Sequence, residues 1–185
     1  MDKQKSRYTA HFLESLSLLG AGKWNGLAGI DNPFTRYEFL YELERTGCTS
    51  EATGWQPYHL ALYEGDPAST KDMSPLAVMP LYLKTNSWGE YVFDWSWADA
   101  WQRMGLRYYP KLVTAIPFTP ATGQRLGHVD HENIRAPGIV EAVKGLTAMG
   151  ADHVEDQLNT TGCLAMLLRK KGNDAEAEPM LATAL

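Results

Sequence analysis

The order of strand-like and helix-like segments in this sequence predicts an α/β fold. Residues 58–64 and 76–84 have the length, apolar content and flanking turns of strands. Residues 112–118 contain almost no polar side chain, which is typical of a strand covered on both faces. Between these segments, apolar residues at helical spacing predict one helix that ends at Gly47 and another over 97–105.

The N-terminal part contains one strand-like segment and two helix-like ones. Residues 7–11 predict a first strand, and 14–27 predict a helix that Gly20, Gly22 and Gly26 weaken. Thr35 and Glu38 have the spacing of a capping box, in which each side chain bonds the backbone N–H of the other. The helix that follows should end at Gly47, a residue type that favours helix termination.

The central strands carry two local signals. In 58–64, Tyr58, Leu60 and Leu62 alternate and are therefore predicted to lie on one face. Pro80 lies in the middle of 76–84 and has no N–H to donate, so it implies a bulge or an edge position. Residues 86–89 then form a turn, which predicts an antiparallel hairpin with a strand at 90–94.

A tryptophan-rich block, residues 87–120, is the most distinctive part of the chain. Four of the six tryptophans lie in it, namely Trp88, Trp95, Trp97 and Trp101. Its predicted order is a strand at 90–94, a helix at 97–105 and the apolar strand at 112–118. We predict that these form one buried sheet unit on which the other segments pack.

The residue pattern of the C-terminal part differs from that of the rest of the chain. Residues 139–149 keep a helical period and 151–155 have the character of a short strand. Residues 160–185 resemble a single tetratricopeptide-type unit, which cannot bury its own apolar face. We therefore expect a main domain over 1–158 and a helical tail over 159–185. Self-association through the tail is one way to cover its apolar face.

Composition and charge exclude several classes of function. The 185 residues suggest one main domain, 44% of them are hydrophobic, and the formal net charge is −5. An acidic chain without clustered Lys and Arg is not expected to bind DNA. No apolar run approaches the ~20 residues of a membrane span, and the N-terminus lacks the apolar core of a signal peptide. The sequence therefore predicts a cytoplasmic protein without a membrane span.

The cysteines and histidines do not predict a metal site. Cys48 and Cys163 are the only cysteines and do not form a CxxC pair, so we expect two reduced thiols. A dense set of polar residues follows the tryptophan-rich block, namely His128, Asp130, His131 and Glu132. It lacks a further ligand at helical spacing, so a solvated loop is predicted. His59 is expected to be a hydrogen-bonded histidine within the sheet.

Asp94, Ser96 and Asp99 admit two interpretations. Asp94 or Asp99 can act as the general base that removes a proton from an amine nucleophile. Ser96 and Asp99 also lie three residues apart at the start of a predicted helix, which is the spacing of an N-terminal cap. The spacing favours capping and leaves catalysis open.

The tryptophans of the block also have two interpretations. Trp95, Trp97 and Trp101 can line a groove that binds a sugar or a peptide. However, Trp97, Trp101 and Met104 follow the i, i+4, i+7 spacing of a helix stripe that faces the core. Because aromatic side chains dominate the energetics of protein cores, core packing is favoured.

Two strings in the block resemble a known family. EYVFDWSWADAW and GLRYYPKLVTAIPFTPATGQRL are similar to the signature block of the FemAB-like branch of the GNAT acyltransferase superfamily, the peptidoglycan biosynthesis or recognition proteins. The likeness extends upstream through 79–84, 54–57 and Asn32-Pro33-Phe34. The resemblance implies a GNAT-like, mixed, mostly antiparallel sheet flanked by helices. It covers the N-terminal half of the family's architecture, which normally continues into a second acyltransferase half.

The resemblance also implies an activity. It predicts an acyl- or aminoacyltransferase that uses acyl-coenzyme A or a charged tRNA as donor. The acceptor would be an amine on a cell-wall precursor or an amino acid. The alternative is a non-catalytic, truncated domain that serves as a binding or interaction module.

Two sets of residues are candidates for binding under this resemblance. Thr122, Gly123 and Arg125 loosely resemble the loop that holds the pyrophosphate of acyl-coenzyme A at a helix N-terminus, although an ordinary surface loop is favoured. A second set can hold an anionic group or can flank the strand with solvated charges, namely Arg107, Tyr108, Tyr109 and Lys111.

Overall fold

The computed structural model describes residues 8–69, 73–90, 94–105 and 107–129. Predictions for 91–93, 139–149, 151–155 and 160–185 lie outside these residues. The helices are α1 (Ala21–Ala28), α2 (Tyr37–Arg45) and α3 (Trp95–Arg103), and the short 3-10 helices are Leu16–Leu18, Pro33–Thr35 and Pro67–Ser69. The strands are β1 (Tyr8–Leu13), β2 (Trp55–Pro57), β3 (His59–Glu64), β4 (Ala77–Met79), β5 (Tyr82–Lys84), β6 (Lys111–Val113) and β7 (Gly127–His128).

The strands form two antiparallel sheets. The first has the order β1-β3-β4-β7 and the second the order β2-β5-β6. All pairings between the described strands are antiparallel. The α/β class and the mostly antiparallel pairing are therefore confirmed, with two sheets in place of the single central sheet that was predicted.

Pro80 explains why there are two sheets. Trp55 pairs with Lys84 and Leu60 pairs with Met79, so the ladders β2–β5 and β3–β4 keep one register, with His59 opposite Pro80. Proline has no N–H, and the ladder breaks at this point. The bulge or edge position predicted for Pro80 is therefore wrong, because β4 and β5 are internal strands and the register is unbroken. Pro80 instead interrupts the predicted strand as a break between two sheets.

His59 bridges this break. Leu81 donates its backbone N–H to His59 Nδ1 at 3.2 Å, and Tyr58 donates its N–H to the Leu81 carbonyl at 2.9 Å. His59 Nε2 lies 2.9 Å from Glu44 Oε1 and, because Nδ1 accepts, donates to it. The prediction of a hydrogen-bonded histidine within the sheet is confirmed.

The first helices begin later than predicted. A turn of 3-10 helix and then α1 replace the helix expected over 14–27, because Gly20 adopts φ +82° between them. The capping box is wrong: Thr35 donates its hydroxyl to the Asn32 carbonyl at 3.2 Å, and Glu38 accepts from Asn25 at 3.0 Å. The end of α2 is as predicted, since Gly47 follows it at φ +74°.

The main core lies between α1, α2 and the first sheet. It contains the fully buried Trp24 and Leu40 together with Val78 of β4. Trp24 satisfies its indole N–H with the Thr35 carbonyl at 2.9 Å. Gly127 brings β7 against α1, because a Cβ there would lie 2.5 Å from the Leu27 carbonyl oxygen.

The tryptophan-rich block enters the second sheet through one short strand. β6 covers Lys111–Val113 only, so the strand predicted over 112–118 is too long. Leu112 and Val113 are half-buried, and Phe118 adopts a turn conformation with φ +58°. Glu90 and Asp94 are not in a strand. The predicted helix is confirmed, two residues earlier at each end.

Candidate functional site

Strand pairing places two lysines directly opposite each other. Lys84 of β5 pairs with Lys111 of β6, and Trp55 of β2 pairs with Lys84 on its other side. Directly paired residues project from the same face of a sheet. Lys84 has no exposed surface and Lys111 is 8% exposed. Two buried ammonium groups in one row require carboxylates nearby.

Glu90 and Asp94 supply these carboxylates. The Lys111 ammonium donates to Glu90 Oε2 at 2.8 Å and also to Asp94 Oδ2. Tyr108 donates its hydroxyl to Asp94 Oδ2 at 2.8 Å, and Tyr109 donates to Asp94 Oδ1 at 2.5 Å. We call Lys84, Lys111, Glu90, Asp94 and the two tyrosines the buried ion cluster.

Asp94 is held in its charged form. Burial raises the pKa of this carboxyl group, but hydrogen bonds from Lys111, Tyr109 and Tyr108 outweigh burial and lower the pKa below its ordinary value. Burial and the bond to Asp94 raise the pKa of both tyrosines, which therefore stay neutral donors. Both oxygens of Asp94 are thus engaged by the protein itself.

Lys84 fixes the turn at 86–89. Its ammonium donates to the Trp88 carbonyl at 2.8 Å and lies 3.8 Å from the centre of the Trp55 ring. Trp55 donates its indole N–H to the same carbonyl at 2.8 Å. Burial lowers the pKa of Lys84 to about 8, although the negative charge of Glu90 opposes this.

The lowered pKa of Lys84 predicts a rise of stability with pH. Its pKa is 10.5 in the unfolded chain and about 8 in the fold, so between these values the unfolded chain binds more protons. The free energy of unfolding should therefore rise from pH 8 towards pH 9.5, by up to about 2 kcal/mol at ~1.4 kcal/mol per pH unit. Urea unfolding followed by tryptophan fluorescence measures it.

Lys84→Met serves as the control, because it removes the titrating group and keeps the length of the side chain. In this variant the free energy of unfolding should rise less with pH, because the contribution of Lys84 is missing. Measurements stop below pH 10, since the raised pKa values of Tyr82, Tyr108 and Tyr109 make the fold lose stability above the pKa of a free tyrosine. Identical slopes for the two proteins would contradict the prediction.

A pocket of about 280 Å³ lies beside the buried ion cluster. Its lining includes Trp55, Glu90, Thr114, Ile116 and Arg125. Glu90 Oε1 and Thr114 Oγ1 are buried and have no hydrogen-bond partner among the described residues. Buried polar atoms without a partner are uncommon and call for an explanation such as a bound ligand. The pocket is therefore our candidate binding site.

Sequence reasoning missed Glu90, Thr114 and Trp55. The polarity of Thr114 within an apolar run was the available signal, since such a residue needs a partner when it is buried. Glu90 has no comparable local signal, because its role depends on the pairing of Lys84 with Lys111.

The helix α3 does not face the core. Trp97 is 67% exposed, Trp95 is 56% exposed, and no described residue of α3 is buried. The predicted core-facing stripe of Trp97, Trp101 and Met104 is therefore wrong. Exposed indoles fit the other interpretation, a surface that contacts a ligand.

The predicted cap of α3 is also wrong. The helix begins at Trp95, so Ser96 lies inside it, and Asp94 precedes it without a side-chain cap. The Asp94 carbonyl accepts the N–H groups of Trp97 and Ala98, both at 3.0 Å. Its carboxylate instead bonds Lys111 and the two tyrosines. Asp99 is exposed, so the two candidate bases have different environments.

The residues that were predicted to hold an anionic group also lie in different environments. Lys111 is buried against Glu90 and Asp94, so the interpretation of solvated flanking charges is wrong for this residue. Tyr108 joins the same cluster, whereas Arg107 is exposed. The anionic groups that Lys111 holds are the protein's own carboxylates.

The loop predicted to bind the donor contributes one residue to the pocket. Arg125 lines it, donates to the carbonyls of Gly123 (3.2 Å) and Ala121, and has its pKa lowered by burial. Thr122 and Gly123 are exposed. The loop continues into β7, so a helix N-terminus does not directly follow it. Pyrophosphate binding by these residues stays a prediction.

The described residues form neither a group of metal ligands nor a membrane-spanning helix. No three His, Cys, Asp or Glu side chains there are grouped so that they could hold a metal ion. His128 lies in β7, and Asp130, His131 and Glu132 fall outside the part of the chain that is described. Within the same part, no helix has the length and apolar character needed to cross a bilayer.

Fold and site together define a mixed α/β protein with a lysine–carboxylate cluster beside a small pocket. The chain belongs to the FemAB-like family, described as peptidoglycan biosynthesis/recognition, whose family model matches residues 15–166. This range includes the whole buried ion cluster and the pocket. No curated protein and no solved structure matches the chain.

Proposed function

We propose that this protein transfers an acyl or aminoacyl group to an amine in peptidoglycan-related chemistry, and that the pocket beside the buried ion cluster is the reaction site. The family supports the cell-wall context. One observation carries the proposal: a carboxylate, Glu90, lines the pocket, and one of its oxygens is buried without a hydrogen-bond partner among the described residues. An amine nucleophile needs such an acceptor for its proton.

The step would proceed as an ordinary acyl transfer. The amine nitrogen attacks the carbonyl carbon of the donor, a C–N bond forms, and the bond to the thiolate of coenzyme A or to the ribose oxygen of tRNA breaks. The nitrogen loses one proton, which the Glu90 carboxylate accepts, and the leaving group takes up a proton. Positioning supplies much of the rate in such reactions.

The rest of the cluster positions Glu90. Lys111 bonds Glu90 Oε2 at 2.8 Å and is itself held by Asp94, which the two tyrosines anchor. We therefore assign proton acceptance to Glu90 and a positioning role to Asp94, in place of the base role that the sequence suggested for Asp94. Asp99 is an exposed carboxylate, and we assign it no role in the reaction.

The test is a transfer assay with Glu90→Gln, which keeps the shape of the side chain and removes its basicity. The protein is incubated with acetyl-coenzyme A, or with an aminoacyl-tRNA, and a peptidoglycan stem peptide that has a free amine. Mass spectrometry measures the acylated peptide. We expect the variant to lose activity by about 10²–10⁴-fold, the usual contribution of a general base.

Glu51→Gln is the control, since Glu51 is exposed and does not line the pocket. Equal rates for Glu90→Gln and Glu51→Gln would show that Glu90 does not accept the proton. Binding of the stem peptide without any transfer would favour the alternative, a non-catalytic module. The exposed tryptophans of α3 are the observation that supports this alternative.

A further inference from the structure

The exposed aromatic side chains of the described residues gather around the buried ion cluster. They are Trp88, Trp95, Trp97 and Phe118. Phe118 lies on the turn at 86–89, because its N–H donates to the Gly89 carbonyl at 3.1 Å. Lys111 bonds Glu90, which follows this turn, and Asp94, which precedes α3. These contacts hold the turn and the start of α3 close together, so the four aromatic side chains belong to one region of the surface.

The helix α3 is amphipathic. Trp97, Trp101 and Met104 share one face, whereas Asp99 and Arg103 lie on the other. Two of the three residues of the apolar face meet water, since Trp97 is 67% and Met104 63% exposed. Exposed apolar patches of this kind mark surfaces that contact a protein or a membrane. A helix with large apolar residues on one face and charges on the other is also the form that lies in a bilayer interface.

The charges of this region differ in sign from those of the whole chain. Residues 84–111 contain four cationic and three anionic side chains and carry a formal charge of +1, whereas the chain carries −5. The two lysines of the buried ion cluster face its two carboxylates, so the exposed charges are those of Asp99, Arg103 and Arg107. Charges elsewhere in the chain are screened beyond ~8 Å at physiological ionic strength. This region therefore attracts an anionic surface.

We propose that the protein binds the surface of an anionic phospholipid bilayer, with α3 and the turn at 86–89 facing the lipid headgroups. Tryptophan suits this layer, because its ring is apolar and its N–H is a polar donor. Arg103 and Arg107 contact the lipid phosphates. Trp95 and Trp97 lie about 200° apart around the helix axis, so a fluid interface covers both indoles more readily than one narrow groove does. The inference does not depend on the proposed reaction.

Sedimentation with lipid vesicles tests this inference on the full-length protein. One set of vesicles contains phosphatidylcholine alone, and the other contains phosphatidylcholine mixed with the anionic phosphatidylglycerol. We expect the mixed vesicles to bind about tenfold more tightly, because each Arg near an anionic surface adds to the affinity. Raising the salt concentration to ~1 M should remove this difference, since the Debye length then falls to ~3 Å.

Two variants separate the apolar contribution from that of charge. Trp97→Ser should weaken binding to both kinds of vesicle about tenfold, because it removes a large apolar side chain from the interface. Arg103→Gln should weaken binding about fivefold, and only to the mixed vesicles. If Trp97→Ser does not fold, Trp88→Ser on the separate turn replaces it and should have the same effect.

The controls are changes of the same kind outside residues 84–111. Leu18→Ser removes a side chain that is 69% exposed, and Arg45→Gln removes an exposed positive charge. Both should leave vesicle binding unchanged. Equal effects of Trp97→Ser and Leu18→Ser would overturn the inference, because the exposed aromatic region would then have no special role.

Two further results would assign this surface to another partner and overturn the inference. The first is a dimer in the absence of lipid that Trp97→Ser converts to a monomer, as analytical ultracentrifugation would show. The second is release of the protein from vesicles by a soluble peptidoglycan stem peptide. Because vesicle binding needs no acyl donor, it can fail while transfer activity persists, and it can persist while transfer fails.

Discussion

Replacing Asp94 by alanine is expected to lower the free energy of unfolding by about 3–5 kcal/mol, the usual cost of breaking a buried ion pair by removing one partner. Asp94 is 8% exposed and accepts hydrogen bonds from Lys111, Tyr108 and Tyr109. Without it, two buried lysines share the single carboxylate of Glu90, and two tyrosine hydroxyls lose their acceptor. Urea unfolding followed by tryptophan fluorescence measures the loss.

Asp99→Ala is the matched control, because Asp99 lies in the adjoining helix and is exposed. Its effect should stay within about 0.5 kcal/mol, as for most surface substitutions. The comparison also separates the two aspartates that the sequence presents as equivalent candidates. A difference of less than about 1 kcal/mol between the variants would contradict a structural role of the buried ion cluster.

The second large effect is expected for Gly89→Ala, at the turn that forms one wall of the pocket. Gly89 adopts φ +78°, and a Cβ there would lie 2.5 Å from the Phe118 ring and 2.8 Å from Trp55 Nε1. A left-handed conformation costs a non-glycine residue ~1–2 kcal/mol, and overpacking adds ~1–3 kcal/mol. The free energy of unfolding should therefore fall by about 3–4 kcal/mol. The fluorescence of Trp55 should change as its ring moves.

Gly65→Ala separates the two causes. Gly65 has a similar φ of +85°, but nothing lies within 4 Å of the position of its Cβ. This variant should lose only the conformational part, ~1–2 kcal/mol. Equal losses at the two glycines would show that Phe118 and Trp55 do not pack tightly on the turn. In that case the turn at Gly89 would not be a tightly packed wall of the pocket.

Several features of the fold follow from local sequence. The end of α2 at Gly47 depends on the conformation that glycine alone adopts without strain, and Pro80 interrupts its strand because proline lacks an N–H. Such effects act between near neighbours, so the residue type indicates where they occur. The form of the effect at Pro80, a break between two sheets in place of the predicted bulge or edge position, was decided by the pairing of the strands. The strings of the tryptophan-rich block were also sufficient to indicate the FemAB-like family, which the match over 15–166 confirms.

Other predictions failed although the spacing of the residues fitted them. Thr35 has the spacing of a capping residue, but Asn32 already caps the preceding turn with its side chain. Trp97 has the spacing of a core residue, but α3 lies on the surface. Helical spacing shows which residues share a face, and it does not show whether another element covers that face.

By itself the sequence determined the α/β class, the end of α2 at Gly47 and the family. Only the tertiary structure decided the site, since Lys84 and Lys111 meet through the register of β5 and β6. Lys111 bonds Glu90 and Asp94, and Glu90 and Arg125 line the same pocket. A charge is costly to bury alone, so its position is set by all the segments that pack around it, however far apart they lie in the chain.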